Sequence, residues 1–161
     1  MVKTKGDTDI LNKFLADTYA LALKTHDYHW NVTGAEFCNL HSLFENQYKD
    51  LVDAADTIAE RIRALGEYAA GGVHNFAKNT SIEEPRRDLD ADSMLAFLIV
   101  DHTRLADRAL KAVNRLFESG DHATADILIR RIQMHEKQIW MMKSICDEKK
   151  VRLSGANQQV A

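Results

Sequence analysis

Two pairs of side chains in the stretch HDYHWNVTGAEFCNLHSLFENQYKDLVDAADTIAERIRALG have the types and spacing of metal ligands: His41 with Glu45, and Asp56 with Glu60. Each pair is spaced i,i+4, so on a helix its two groups stand one turn apart on one face. Imidazole and carboxylate together suit iron, with zinc or manganese as the other metals such a set accepts. At about 100° per residue, the four positions fall within roughly 100° of one another, beside the apolar stripe of their helix and not on it. His41 and Asp56 lie fifteen residues apart in the numbering, which is roughly 22 Å along a straight helix. One chain therefore cannot close both pairs on one ion. A two-fold axis across the middle of the helix would set His41 and Glu45 of one chain opposite Asp56 and Glu60 of another, giving two identical sites per dimer. His29, near the end of the preceding helix, can join the histidine side. The bland alternative is a solvated face, with Lys24, Lys49, Arg61 and Arg63 near enough to pair with the acids. Spacing alone does not separate the two readings.

Positioning these groups requires long helices, and the pattern supplies four. The first runs from about Asp7 to Val32 and stops at Thr33-Gly34, glycine being suited to a helix end. The second runs from about Glu36 to Leu65, with Phe44, Tyr48, Leu51, Ala55, Ile58, Ile62 and Leu65 in one stripe. The third starts near Asp90 or Asp92, either able to cap it, and carries Leu95, Leu98, His102, Leu105, Ala109, Ala112 and Leu116. The fourth follows Ser119-Gly120-Asp121, carries Leu128, Ile132, His135, Ile139, Met142 and Cys146, and fades in EKKVRLSGANQQVA. Short connections within each pair predict antiparallel neighbours. The connection from Glu67 to Leu89 is too long for a plain loop, so it is expected to cross the bundle with VHNFAKN as a short extra helix. The expected fold is all-α: a ferritin-like four-helix bundle with a short extra helix in the long crossover between the second and third helices. Such stripes serve unrelated bundles too, and fold alone assigns no function.

Composition narrows the classes. The chain has 161 residues, 45% of them hydrophobic and 28% charged, enough for one domain with a real core. The expected organisation is a single domain over 1–161 with short flexible tails at about 1–6 and 150–161. A net charge of −3 argues against a strongly basic nucleic-acid binder over the body of the fold. No apolar run is long enough for a membrane span, the first residues lack a secretory apolar stretch, and two cysteines without a motif fit the reducing cytoplasm. HSLFE is not the HExxH of a zinc protease, and no nucleophile–base motif stands out.

The same stretch resembles the signature of the Dps family (DNA-binding proteins from starved cells), miniferritins of the ferritin-like superfamily. HDYHW, the LHxxFE element at Leu40–Glu45 and the DxxAERI element at Asp56–Ile62 carry the resemblance. GDHATADIL and KQIWMMK extend it more loosely over nearly the whole chain. The resemblance implies ferroxidase histidines at His29 and His41, an acidic ligand at Glu45 and partner-subunit carboxylates at Asp56 and Glu60. Glu45 is an aspartate in many members, so its reach differs. Also implied are a homododecameric shell in the bacterial cytoplasm or nucleoid, up to two irons per interfacial site, and oxidation of Fe(II) to Fe(III) that consumes hydrogen peroxide in preference. Ferric mineral is then stored inside, which protects DNA from oxidative damage.

Further residues take their readings from that resemblance. Trp30 corresponds to a tryptophan near the family's site; it either intercepts stray oxidising equivalents or anchors the interface by packing. Glu118, Asp121 and Asp126 correspond to acids lining three-fold pores, although Asp121 equally suits a helix N-cap and Asp126 a surface charge. Lys3, Lys5, Lys149, Lys150 and Arg152 are the candidates for the non-specific DNA binding that some members perform through basic tails. His102 and His135 fall on apolar stripes, and no Glu-x-x-His accompanies them, so they read as hydrogen-bonded buried histidines and not as an intrasubunit metal site. His26 reads as support for the interface, and His74 and His122 as loop or helix-end residues.

Overall fold

A computed structural model describes residues 5–156, with side chains described for residue 6 and residues 8–146. Five helices follow in order: α1 (Lys5–Asn31), α2 (Phe37–Ala64), α3 (Val73–Asn79), α4 (Ala91–Glu118) and α5 (His122–Ala156). The expected bundle with its short crossover helix is what the chain forms. The helix α5 outlasts its apolar pattern: it continues to Ala156, so the first residues of the expected C-terminal tail are helical backbone. Lys3 lies outside the described residues, as do the side chains of Lys5, Lys149, Lys150 and Arg152.

Local chemistry sets the ends of these helices. Asp90 caps α4, its Oδ1 accepting from Ser93 N at 2.8 Å. Gly120 ends α4 at φ 75°, a left-handed conformation that glycine adopts without a Cβ clash. Asp121 N then reaches back to Leu116 O at 2.9 Å, and Gly120 N to Phe117 O at 3.1 Å, which satisfies carbonyls the helix end would leave open. The α1–α2 turn places Gly34 at φ 106° for the same reason.

Helices α1 and α2 pack closely along their length, as do α4 and α5. The two hairpins meet through α1 against α4 and α2 against α5. The core between them is built from Phe14, Tyr28, Phe44, Leu51, Ile58, Ile62, Leu95, Leu98, Leu105 and Leu116, all nearly or wholly shielded from water. On α2 the buried set differs from the expected stripe. Gln47 and Ala54 are buried, whereas Tyr48 and Leu65 are only half-buried. Gln47 can sit inside because its Nε2 donates to Gln138 Oε1 of α5 at 2.9 Å.

Two buried carboxylates fix the hairpins to each other. Asp101 of α4 takes Lys24 of α1 at 2.7 Å, both side chains about 5% exposed or less. Asp17 of α1, wholly buried, accepts from Ser81 N at 2.6 Å and from the hydroxyls of Thr80 and Ser81 at 3.1 Å, and pairs with Arg108 of α4. That clasp ties the crossover down, and the Phe76 ring of α3 stacks on Tyr19 of α1 at 4.8 Å beside it.

Candidate metal centre

The α1–α2 turn brings the last turn of α1 against the first turns of α2, and His29 and His41 meet there. Their rings stack with centroids 3.7 Å apart and planes 24° from parallel. Each ring is held by the other residue's main chain: His29 Nδ1 lies 2.8 Å from His41 O, and His41 Nδ1 lies 2.9 Å from His29 O. A carbonyl oxygen only accepts, so each Nδ1 must carry the proton and donate. The tautomer follows. In the neutral rings both Nε2 atoms keep their lone pairs, which is the state in which imidazole ligates a metal.

Glu45 stands one turn beyond His41 with its carboxylate held by Lys49 at 2.5 Å. The Lys49 hydrogen bond and charge hold the Glu45 carboxyl below the usual carboxylate range, and the His29 and His41 rings are near enough to push the same way. In the single subunit, then, the surface-pair reading of Glu45 with Lys49 is what the geometry shows.

Asp56 and Glu60 are exposed on the same flank of α2, about 22 Å and about 28 Å from His41 at the helix rise. The cations expected to neutralise them are occupied elsewhere. Lys24 is buried against Asp101, Arg61 reaches Asp121 at 2.7 Å and Thr124 Oγ1 at 2.7 Å, and Arg63 donates to Glu67 O. Among the described residues, no three His, Cys, Asp or Glu side chains converge within one chain.

Aromatic rings back the histidine pair. His26 stacks on Tyr48 at 4.0 Å and lies tilted against Trp30 at 4.1 Å, and Tyr48 meets the His29 ring edge-on at 5.5 Å. Partial burial, followed by the neighbouring His29 imidazole, pushes the His26 imidazole below its ordinary value. Trp30 is nonetheless 64% exposed, and Leu23, Phe37 and Val52 also leave much of their apolar surface open. Sequence reasoning placed Tyr48 in the core stripe and so missed its role beside the histidines. The i,i+4 step from Phe44 to Tyr48 gave no signal that the ring turns to the flank.

Other candidates fall away from this centre. Asp121 caps α5 through Thr124 N at 3.2 Å and Thr124 Oγ1 at 2.6 Å while holding Arg61. The Thr124 and Arg61 hydrogen bonds lower its pKa against the opposing effect of burial. Asp126 is exposed and paired with Arg130 at 2.5 Å, and Glu118 is exposed at the end of α4. His102 and His135 are buried and bonded to one another, Nδ1 to Nδ1 at 2.8 Å. His74 is exposed on α3, and His122 opens α5 with its ring 5.4 Å from Phe117. No helix among the described residues is long and apolar enough to cross a membrane.

The ferritin-like domain family matches residues 8–151. An uncharacterized low temperature-induced protein of Nostoc sp. is 37% identical over 94% of this chain and 86% of its own. A protein of Bacillus anthracis named DNA protection during starvation protein 2 is 30% identical over 87% of this chain and 96% of its own. The crystal structure of a Dps protein from Vibrio cholerae, described as a member of a broad superfamily of ferritin-like diiron-carboxylate proteins, superposes with a TM-score of 0.85. It is 29% identical and covers 88% of this chain and 89% of that one.

Proposed function

The chain belongs to the ferritin-like domain family and, within it, to the Dps proteins, and from that premise we propose that it is a ferroxidase that oxidises and stores iron at sites shared between subunits. The carrying observation is the histidine pair: two Nδ1–H groups locked onto carbonyls, leaving the two Nε2 atoms free of that contact, with His29 buried and His41 half-buried next to the exposed Trp30 and Phe37. The two imidazoles alone lack the hard oxygen ligands that favour ferric iron. Asp56 and Glu60 are exposed and without an ion pair among the described residues, at the far end of the same helix. A two-fold partner supplies them to the His29, His41 and Glu45 cluster. Val52, 43% exposed midway along the flank, and Trp30 give that contact apolar area to bury.

Iron here is the substrate. Two ferrous ions supply the two electrons that, with two protons, convert one hydrogen peroxide into two waters, so no one-electron product leaves the site. The imidazoles bind the ferrous ion, the carboxylates favour the ferric product, and positions left open admit peroxide. A closed dodecamer then keeps the mineral inside, and removing iron and peroxide together protects DNA. Anaerobic ferrous loading followed by peroxide tests this reading. Stoichiometric oxidation of two irons per peroxide is expected, with ferric product retained by the protein on gel filtration. Oxidation no faster than in buffer contradicts it.

A second reading is DNA binding through the basic tails; the Bacillus anthracis relative is named for DNA protection during starvation. A gel shift that weakens steeply with salt, and disappears when residues 1–6 and those after 148 are removed, is its signature.

A further inference from the structure

The polar side chains that the metal centre leaves unused converge inside the bundle. Arg131, His135 and Gln138 recur along α5 at i, i+4 and i+7, and all three are buried. Helix α2 answers them with two groups: Gln47 donates to Gln138, and Asp50 accepts from both Arg131 nitrogens at 3.2 and 2.7 Å. Helix α4 contributes His102. Its Nδ1 lies 2.8 Å from the His135 Nδ1, with ring centroids 5.0 Å apart and planes at 59°. From α1 the Phe14 ring meets His135 edge-on at 6.5 Å. The two imidazoles are 1% and 0% exposed.

A contact between two ring nitrogens at hydrogen-bond distance holds one proton, so one ring donates and the other accepts. The donor ring is left with a bare Nε2 and the acceptor ring with an Nε2–H. Neither Nε2 has a hydrogen-bond partner, which makes each of them a buried orphan. The pair is thus held by a single bond that exists only while at least one Nδ1 is bare.

We propose that the His102–His135 pair is an acid-sensitive lock in the subunit core, and that proton uptake by it opens the α4–α5 side of the bundle. The inference is independent of the interfacial metal site. The first proton falls on the bare Nε2 of the donor ring and creates an imidazolium in the core. The charged groups facing it are Arg131 from α5 and Asp50 from α2, and Asp50 is already committed to Arg131. Asp101, beside His102 on α4, is committed to Lys24 of α1. The second proton gives both Nδ1 atoms a hydrogen, and the bond is lost.

Titration agrees in direction. Burial, with Arg131 acting the same way, pushes His102 down to about 3 against a smaller upward pull from Asp50. Burial, then His102 and Arg131, hold His135 well below its ordinary value. In the unfolded chain both histidines titrate near their ordinary value of 6.5. Below that pH the unfolded state binds more protons than the folded one. The stability lost therefore grows as pH falls from 6.5 toward the folded value for His102.

Hydrogen exchange read by mass spectrometry on the full-length, metal-free protein tests the lock, comparing about pH 7.5 with about pH 5 after correction for intrinsic rates. Protection over 98–105 and 131–138 is expected to fall by about tenfold or more, while the α1–α2 flank over 26–45 keeps its protection. Loss that begins in 26–45, or is uniform, overturns the proposal. A variant carrying His102→Asn and His135→Asn keeps an amide hydrogen bond without a titrating group. Its acid-unfolding midpoint, followed by circular dichroism, is expected to lie about one pH unit or more below the original. An unchanged midpoint overturns the proposal, and should the variant not fold, the exchange pattern of the unmodified protein decides.

Discussion

The chain brings two histidine pairs together, one at the end of the α1–α2 hairpin and one inside α4–α5, and they are wired in opposite ways. His29, buried, and His41, half-buried, each spend Nδ1 on a main-chain carbonyl and keep Nε2 out of that contact. His102 and His135 spend Nδ1 on each other and bury Nε2 with no partner. The residues and the close approach are the same; the difference is what the second nitrogen meets. A carbonyl fixes the tautomer of the neutral ring and leaves the other nitrogen basic, the requirement for a ligand. A second imidazole shares one proton and leaves the pair neutral, the requirement for a place in a core. The surroundings sharpen the contrast: the flank pair has Glu45 beside it and open apolar surface around it, while the core pair has Arg131, which repels cations.

Substitution separates the two pairs most sharply through activity. His29→Ala with His41→Ala is expected to lower peroxide-driven ferrous oxidation by about 10–100-fold, measured by stopped-flow absorbance of the ferric product. The core variant His102→Asn with His135→Asn, assayed near neutral pH, should hold its rate within about twofold. Equal losses in both would erase the distinction. A smaller effect, on stability alone, is expected beside the core pair. Gln138→Leu leaves the buried Gln47 amide without its partner and should cost about 1–3 kcal/mol in urea unfolding, with ferrous oxidation retained. The smallest effect concerns Trp30 on the flank. Trp30→Phe keeps a ring against His26 and should change ferrous oxidation less than about twofold. Where Trp30 intercepts stray oxidising equivalents, a tryptophan radical is expected in the iron-loaded protein after peroxide and not in the variant, read by electron paramagnetic resonance. A radical signal that persists in the variant assigns Trp30 to packing.

Much of the scaffold was legible because its cause is local. Apolar spacing at three and four residues marked α2 and α4, Asp90 and Asp92 both offered a cap for α4 and Asp90 takes it, and VHNFAKN matches α3 residue for residue. That His29 and His41 converge also followed from the sequence, since a short turn must fold two helix ends together. Features set by distant partners were not legible. Gln47 falls in phase with the apolar stripe, but its polar type gives it no place there until Gln138, far along the chain, satisfies it. Asp17 reads as one of many helix-surface acids, yet it is the buried clasp for Thr80, Ser81 and Arg108. The locking of both Nδ1 atoms depends on ring rotation toward main-chain oxygens, which no residue pattern encodes. The end of α5 escaped for a simpler reason: its apolar stripe fades after Cys146 while the helical backbone continues to Ala156.

The shared site is the central claim, and complementation tests it most directly. One variant carries His29→Ala and His41→Ala, the other Asp56→Ala and Glu60→Ala; each alone should assemble but oxidise ferrous iron poorly. When the two are co-expressed and assemble together, a mixed two-fold pair has one site with intact histidines from one subunit and intact carboxylates from the other. With random pairing of equal amounts, about a quarter of all sites are restored. Peroxide-driven oxidation by the mixed shells is therefore predicted to approach a quarter of the unmodified rate, well above either parent. Mixed shells of confirmed composition that oxidise iron no faster than the mean of their parents would contradict a site built across the two-fold axis.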